Sequence, residues 1–121
     1  MQIDIQARNF QLTEALSNHT ERRLGFALSA RDDHIQRVIV RLSDINGPRG
    51  GVDKHCHIQV VLAHMPDVVI EDTEADLYAA IDRAADRAGR TVARRLARQR
   101  VRDRAPGLPG MNPTIESQEW V

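Results

Sequence analysis

His55-Cys-His-Ile-Gln-Val-Val-Leu-Ala63 decides the fold. Cys56, Ile58, Val60 and Leu62 fall on one side of an extended chain, and His55, His57, Gln59 and Val61 on the other. A strand apolar on one side belongs to a sheet covered on one face only. Upstream, Ile35 to Ile45 reads as a second such strand, with Val38, Val40 and Leu42 on one face and Ile39 and Arg41 on the other. Asn46-Gly-Pro-Arg-Gly-Gly51 between them has the composition of a loop. Downstream, His64-Met-Pro66 reads as a turn and Val68 to Glu71 as a short fourth strand. At the start of the chain, Met1 to Ala7 alternates with Ile3, Ile5 and Ala7 on one face, which predicts a further strand.

Two segments have a helical period instead. Leu12, Leu16, Thr20, Leu24 and Leu28 recur every four residues, with Thr13 placed to cap, so a helix is expected over about 14–29 and Arg31-Asp-Asp33 ends it. Leu77, Ile81, Ala84, Ala88, Val92 and Leu96 predict a second helix over about 75–103. Thr73 with Asp76 resembles a capping box at its start. Its acidic residues come early and its arginines late, which complements the helix macrodipole. Gly89 lies inside it at a cost of about 1 kcal/mol relative to Ala. Ala105-Pro-Gly-Leu-Pro-Gly110 stops this helix. Residues 1–104 are therefore expected to form one domain and 105–121 a disordered tail, in which Trp120 stands alone.

The order β-α-β-β-β-α predicts an α+β two-layer sandwich. Its mixed four-stranded sheet carries both helices on one face, and a right-handed crossover makes the first two strands parallel. A chain of 121 residues suits a single domain that needs no staple. Cys56 is the only cysteine, which excludes a disulfide framework and a multi-cysteine zinc site. No apolar run approaches the ~20 residues of a membrane span, and the N-terminus has no signal-peptide pattern. A cytoplasmic protein without membrane contact is expected.

The formal net charge is zero, from 17 basic and 17 acidic residues. Those charges are segregated: residues 67–86 hold seven acids and one Arg, and residues 87–104 hold eight Arg and one Asp. A local basic surface is compatible with overall neutrality. At 100° per residue, Arg83, Arg87, Arg90, Arg94 and Arg98 fall within a stripe of about 80°, centred roughly 130° from the apolar stripe. The helix is thus expected to pack with one side and present five guanidinium groups on another. Their spacing of about 5–6 Å per step approaches that of phosphates along one nucleic-acid strand. The plain alternative is a solvated helix surface, with Asp86 and Arg90 as an ordinary pair one turn apart.

The element order, the opening Ile3-Asp-Ile5 with Leu12-Thr-Glu-Ala-Leu16, and above all Asp76-Leu-Tyr-Ala-Ala-Ile-Asp82 resemble the ribosome hibernation-promoting factors. These are also called the ribosome-associated inhibitor or sigma-54 modulation family. The resemblance covers about residues 1–100 and is to the short form, which lacks a second, dimerising domain. It implies a fold like a double-stranded-RNA-binding domain. It also implies binding to 16S rRNA in the decoding channel of the small ribosomal subunit, where messenger and transfer RNA pass, so that translation is silenced in starvation. A protein monomeric off the ribosome, with no small-molecule substrate and no cofactor, follows from the same likeness. Arg87, Arg90 and Arg94 fall where the family carries basic residues, and Arg23, next to Arg22 on the first helix, matches another such position. Ser17 and Phe26 stand where relatives often have Lys or Arg.

Beyond the expected RNA contacts Arg22, Arg23, Arg83, Arg87, Arg90, Arg94 and Arg98, the exposed strand face offers His55 and His57, and the neighbouring loop Lys54, as minor ones. Enzyme chemistry has little to stand on. Neighbours in a strand point to opposite faces, so Cys56 and its flanking histidines form no local nucleophilic pair. His55, His57 and His64 lack an evident further ligand for a metal, and Glu71 to Asp76 lacks EF-hand spacing. No phosphate loop, dinucleotide fingerprint or zincin motif is present. Phe10, Phe26, Tyr78 and Trp120 are too scattered to form a paired base-stacking platform. A module on the same fold whose Arg stripe meets an acidic protein partner remains the alternative to RNA.

Overall fold

The computed structural model describes residues 1–45 and 53–104, the last four by backbone alone. The elements run β1 (Gln2–Arg8), α1 (Glu14–Leu28), a 3-10 segment (Ser29–His34), β2 (Ile35–Asp44), β3 (Lys54–Leu62), β4 (Val68–Glu74) and α2 (Leu77–Arg104). The strands lie side by side in sequence order. β1 pairs with β2 in parallel, and β2–β3 and β3–β4 are antiparallel. This is the expected two-layer α+β architecture. The loop over 46–51 and the tail over 105–121 lie outside the described residues.

One core joins the layers. Val38, Val40, Leu42, Cys56, Ile58 and Val60 are fully buried beneath Leu24 and Leu28 of α1 and Ile81, Ala84, Ala88 and Val92 of α2. The opposite sheet face has no covering layer among the described residues. α1 begins where Thr13, in extended conformation, accepts a hydrogen bond through its hydroxyl from the Leu16 amide at 3.2 Å. Thr20 sits on the buried stripe because its hydroxyl donates to the Leu16 carbonyl at 2.8 Å, leaving no polar group unpaired.

The two helices run side by side in the same direction. His19 meets Asp82, Arg23 meets Asp82 and Asp86, and Ala27 abuts Gly89. A Cβ at position 89 would lie 3.0 Å from the Ala27 carbonyl oxygen. Gly89 therefore permits a close approach of the helices, which accounts for a residue unfavourable to helix on intrinsic grounds.

The start of α2 departs from the sequence expectation. β4 continues to Glu74, because Lys54, His55 and Cys56 of β3 pair with Glu74, Thr73 and Asp72. Thr73 is thus a strand residue, and its β-branched side chain suits that state. The cap is Asp76, whose carboxylate accepts from the Ala79 amide at 3.1 Å. The helix starts at Leu77, and no acid occupies its first turn; Glu71, Asp72 and Glu74 belong to the strand.

Candidate nucleic-acid interface

α2 has two chemically distinct sides. Ala80, Ile81, Ala84, Ala85, Ala88, Val92 and Leu96 are buried, while Arg83, Arg87, Arg90, Arg94 and Arg98 are exposed. The period that buries one set turns the other to solvent. The arginine row is not uniform. Arg83 Nε lies 3.4 Å from Glu74 Oε2, and Arg87 Nη1 donates to the Glu71 carbonyl at 2.8 Å. Both lean toward β4. Arg90, Arg94 and Arg98 have no side-chain partner among the described residues. The first and last lie eight residues apart, about 12 Å along the helix. Asp86 is engaged by Arg23 rather than by Arg90, which leaves Arg90 free. Arg95, absent from the expected stripe, donates to the carbonyls of Pro66 at 3.1 Å and Asp67 at 3.5 Å and straps α2 to the β3–β4 turn.

On α1, the neighbouring arginines part company. Arg22 is exposed. Arg23 turns into the cleft between the helices, with Nε 3.1 Å from Asp82 Oδ1 and Nη2 3.2 Å from Asp86 Oδ1. Asp82 also meets His19 Nε2 at 2.7 Å, and the His19 ring packs edge-on to Tyr78 with centroids 4.8 Å apart. Arg23 is therefore a brace between helices, a role invisible to a helical wheel of α1 alone. Phe26 is 81% exposed, one turn beyond Arg22 on the same helix.

The strand residues are similarly divided. Lys54 sits between Asp53 at 2.9 Å and Asp44 at 3.1 Å. Hydrogen bonds to Asp53 first and Asp44 second raise its pKa. Asp53 is buried, so this cluster closes the β2–β3 end of the sheet and leaves Lys54 little freedom to reach a ligand. His55 Nδ1 lies 2.9 Å from Thr73 Oγ1, and its Nε2 lies 3.2 Å from Glu71 Oε1. His57 shares the open face with His55, and both border a concavity of about 550 Å³ that also includes Arg8 and Arg41. Strand alternation places Arg41 on that face, but only the register of β1, which sets Arg8 beside Ser43, brings Arg8 to the same concavity.

Cys56 is fully buried on the opposite side of its strand. Burial, with a smaller contribution from Asp72, pushes its pKa up to about 12. A thiol so protonated, turned away from both flanking histidines, is no nucleophile. Among the described residues no group of three or more His, Cys, Asp or Glu side chains is arranged to hold a metal ion, and no helix is long and apolar enough to cross a membrane.

This architecture has counterparts among known proteins. The N-terminal domain of Thermus thermophilus Protein Y is 34% identical, with a TM-score of 0.65 over 78% of this chain and 98% of that one. A ribosomal subunit interface protein from Coxiella burnetii, 16% identical, has the same fold, with a TM-score of 0.69 over 80% of this chain and 99% of that one. No curated protein sequence matches the chain. The family described as Sigma 54 modulation protein / S30EA ribosomal protein matches residues 3–100. With nearly the whole described domain inside that match, the chain belongs to the Sigma 54 modulation protein / S30EA ribosomal protein family.

Proposed function

We propose that this protein is a ribosome-associated translation inhibitor that binds the small subunit through the backbone of 16S rRNA and occludes the path of messenger and transfer RNA. The observation that carries this reading is the free guanidinium row Arg90, Arg94 and Arg98 on the outer side of α2. Family membership supports the ribosome as the target. Arg22, exposed on α1, adds a further guanidinium to the helix layer, and Arg83 and Arg87 border the row at the β4 side. Arg23 serves it indirectly by holding α1 against α2. His55 and His57 belong to a separate face, and Lys54 is held by its two carboxylates.

Phosphate contacts position a protein without reading sequence, which suits a factor whose action is to fill a channel. It works as a monomer in the cytoplasm, with no catalytic step and no cofactor. Each neutralised phosphate steepens the salt dependence of binding by nearly one unit. The test is sedimentation of the purified protein with small ribosomal subunits at low and near-physiological salt. Recovery with the subunit that falls steeply with salt, and is lost in an Arg90→Glu, Arg94→Glu variant of unchanged circular dichroism, supports the proposal. A protein that stays at the top of the gradient at both salts overturns it.

One observation favours a second reading. Phe26 stands 81% exposed beside Arg22, and an exposed aromatic next to an arginine suits a protein partner. That reading predicts a saturable acidic protein partner and no association with ribosomes.

A further inference from the structure

The sheet face turned away from the helices carries a basic block that the helical arginines do not share. The register sets Gln6 beside Arg41 and Arg41 beside His57; two residues along, on the same face, it sets Arg8 beside Ser43 and Ser43 beside His55. These six side chains border the concavity of about 550 Å³. Strands about 4.8 Å apart bring donors from β1, β2 and β3 within reach of one small anion.

Charge at this place is unbalanced. Arg8 and Arg41 are exposed and have no side-chain partner among the described residues. The nearby carboxylates are occupied: Glu71 lies 3.2 Å from His55 Nε2, and Asp4 lies 2.9 Å from Arg37 Nε. Two unopposed guanidinium groups, beside the polar side chains of Gln6, Ser43 and His57, match the oxygens of a phosphate group. The volume exceeds that of a bare phosphate and lies within the range of small-molecule sites.

The geometry points to a binding site for a phosphate-bearing nucleotide unit on the open sheet face, gripped by Arg8 and Arg41. The nucleotide is either free in solution or one residue of a single-stranded RNA. The RNA source rests on the proposed function; the free source does not. The site lies across the sheet from Arg90, Arg94 and Arg98, so one can fail without the other.

The test is an NMR titration of the full chain with uridine monophosphate, with uridine as the phosphate-free control, and with a short oligouridylate. The expected result is saturable shifts of the His57 ring and of the β1–β3 amides with both phosphate probes and none with uridine. Arg8→Gln with Arg41→Gln weakens this binding at least tenfold, while Arg90→Gln with Arg94→Gln leaves monophosphate binding unchanged. An oligomer at least tenfold tighter than the monophosphate identifies RNA as the source; equal affinities identify a free nucleotide. No saturable shift with either phosphate probe up to about 10 mM overturns the site. Shifts that uridine reproduces, or that survive Arg8→Gln with Arg41→Gln, also overturn it. Failure to sediment with ribosomes, alongside monophosphate binding that needs Arg8 and Arg41, overturns the proposed function and leaves this site standing.

Discussion

Arg23 of α1 reaches Asp86 of α2 with Nη2 3.2 Å from Oδ1, while its Nε lies 3.1 Å from Asp82. The guanidinium is one-third exposed, so solvent screens the pair and each contact stabilises by about 0.2–1 kcal/mol. Arg23→Gln should lower the melting temperature by a few degrees, with the difference shrinking at high salt. Arg22→Gln should leave the melting temperature unchanged and weaken ribosome association. Parallel thermal melts and sedimentation of the two variants check this division of labour between adjacent arginines.

Gly89 is the second point where the helices meet. An added Cβ at 3.0 Å from a backbone carbonyl oxygen and 3.2 Å from the Ala27 Cβ has to push α1 away. Gly89→Ala gains about 1 kcal/mol of intrinsic helix propensity, but overpacking costs about 1–3 kcal/mol. Net destabilisation is expected, and Gly89→Val should be worse. Urea denaturation midpoints measure both.

The cap of α2 separates two adjacent candidates. Asp76→Ala should destabilise by about 1 kcal/mol through loss of the bond to the Ala79 amide. Thr73→Val keeps a β-branched strand residue and loses only the contact to His55, so its effect on stability should be much smaller. Chemical denaturation of the two variants distinguishes them.

Cys56 should resist alkylation in the folded protein and react only on unfolding, since its thiol is buried and its pKa raised to about 12 from 9.0. In the unfolded chain the same thiol ionises near its ordinary value. Its contribution to stability is therefore complete below about pH 9 and declines as pH rises toward 12. At pH 11 the decline is on the order of 1–3 kcal/mol. Lys54, whose pKa is also raised, acts in the same direction as it loses its proton. Cys56→Ala should flatten the alkaline limb of the stability curve without removing the Lys54 part.

Period-two alternation in β1, β2 and β3 and the four-residue rows of both helices are strong local signals, and they suffice for the architecture. The extension of β4 through Asp72, Thr73 and Glu74 carries no apolar signal. Only its pairing with Lys54, His55 and Cys56 makes it a strand, and that pairing is not local. For the same reason Thr73 was the expected cap and Asp76 the real one. The arginine row was legible because a single helix generates it. That Arg23 turns inward, that Arg87 and Arg95 tie down backbone carbonyls, and that Arg8 and Arg41 border one concavity all depend on neighbours distant in sequence.

The parallel course of the two helices has an electrical consequence. Their backbone dipoles point the same way and add, positive at the helix starts, where an antiparallel pair would cancel; the side-chain charges of α2 run against them and set the sign of each end. Asp76, Asp82 and Asp86 crowd toward the start of α2, and Arg90, Arg94, Arg98 and Arg100 follow toward its end. A body with no net charge but such a lopsided distribution feels little overall pull from a distant polyanion, yet it feels a torque. It is turned arginine end first before contact, so neutrality sets how weakly the whole chain is drawn in and polarity sets which way round it arrives.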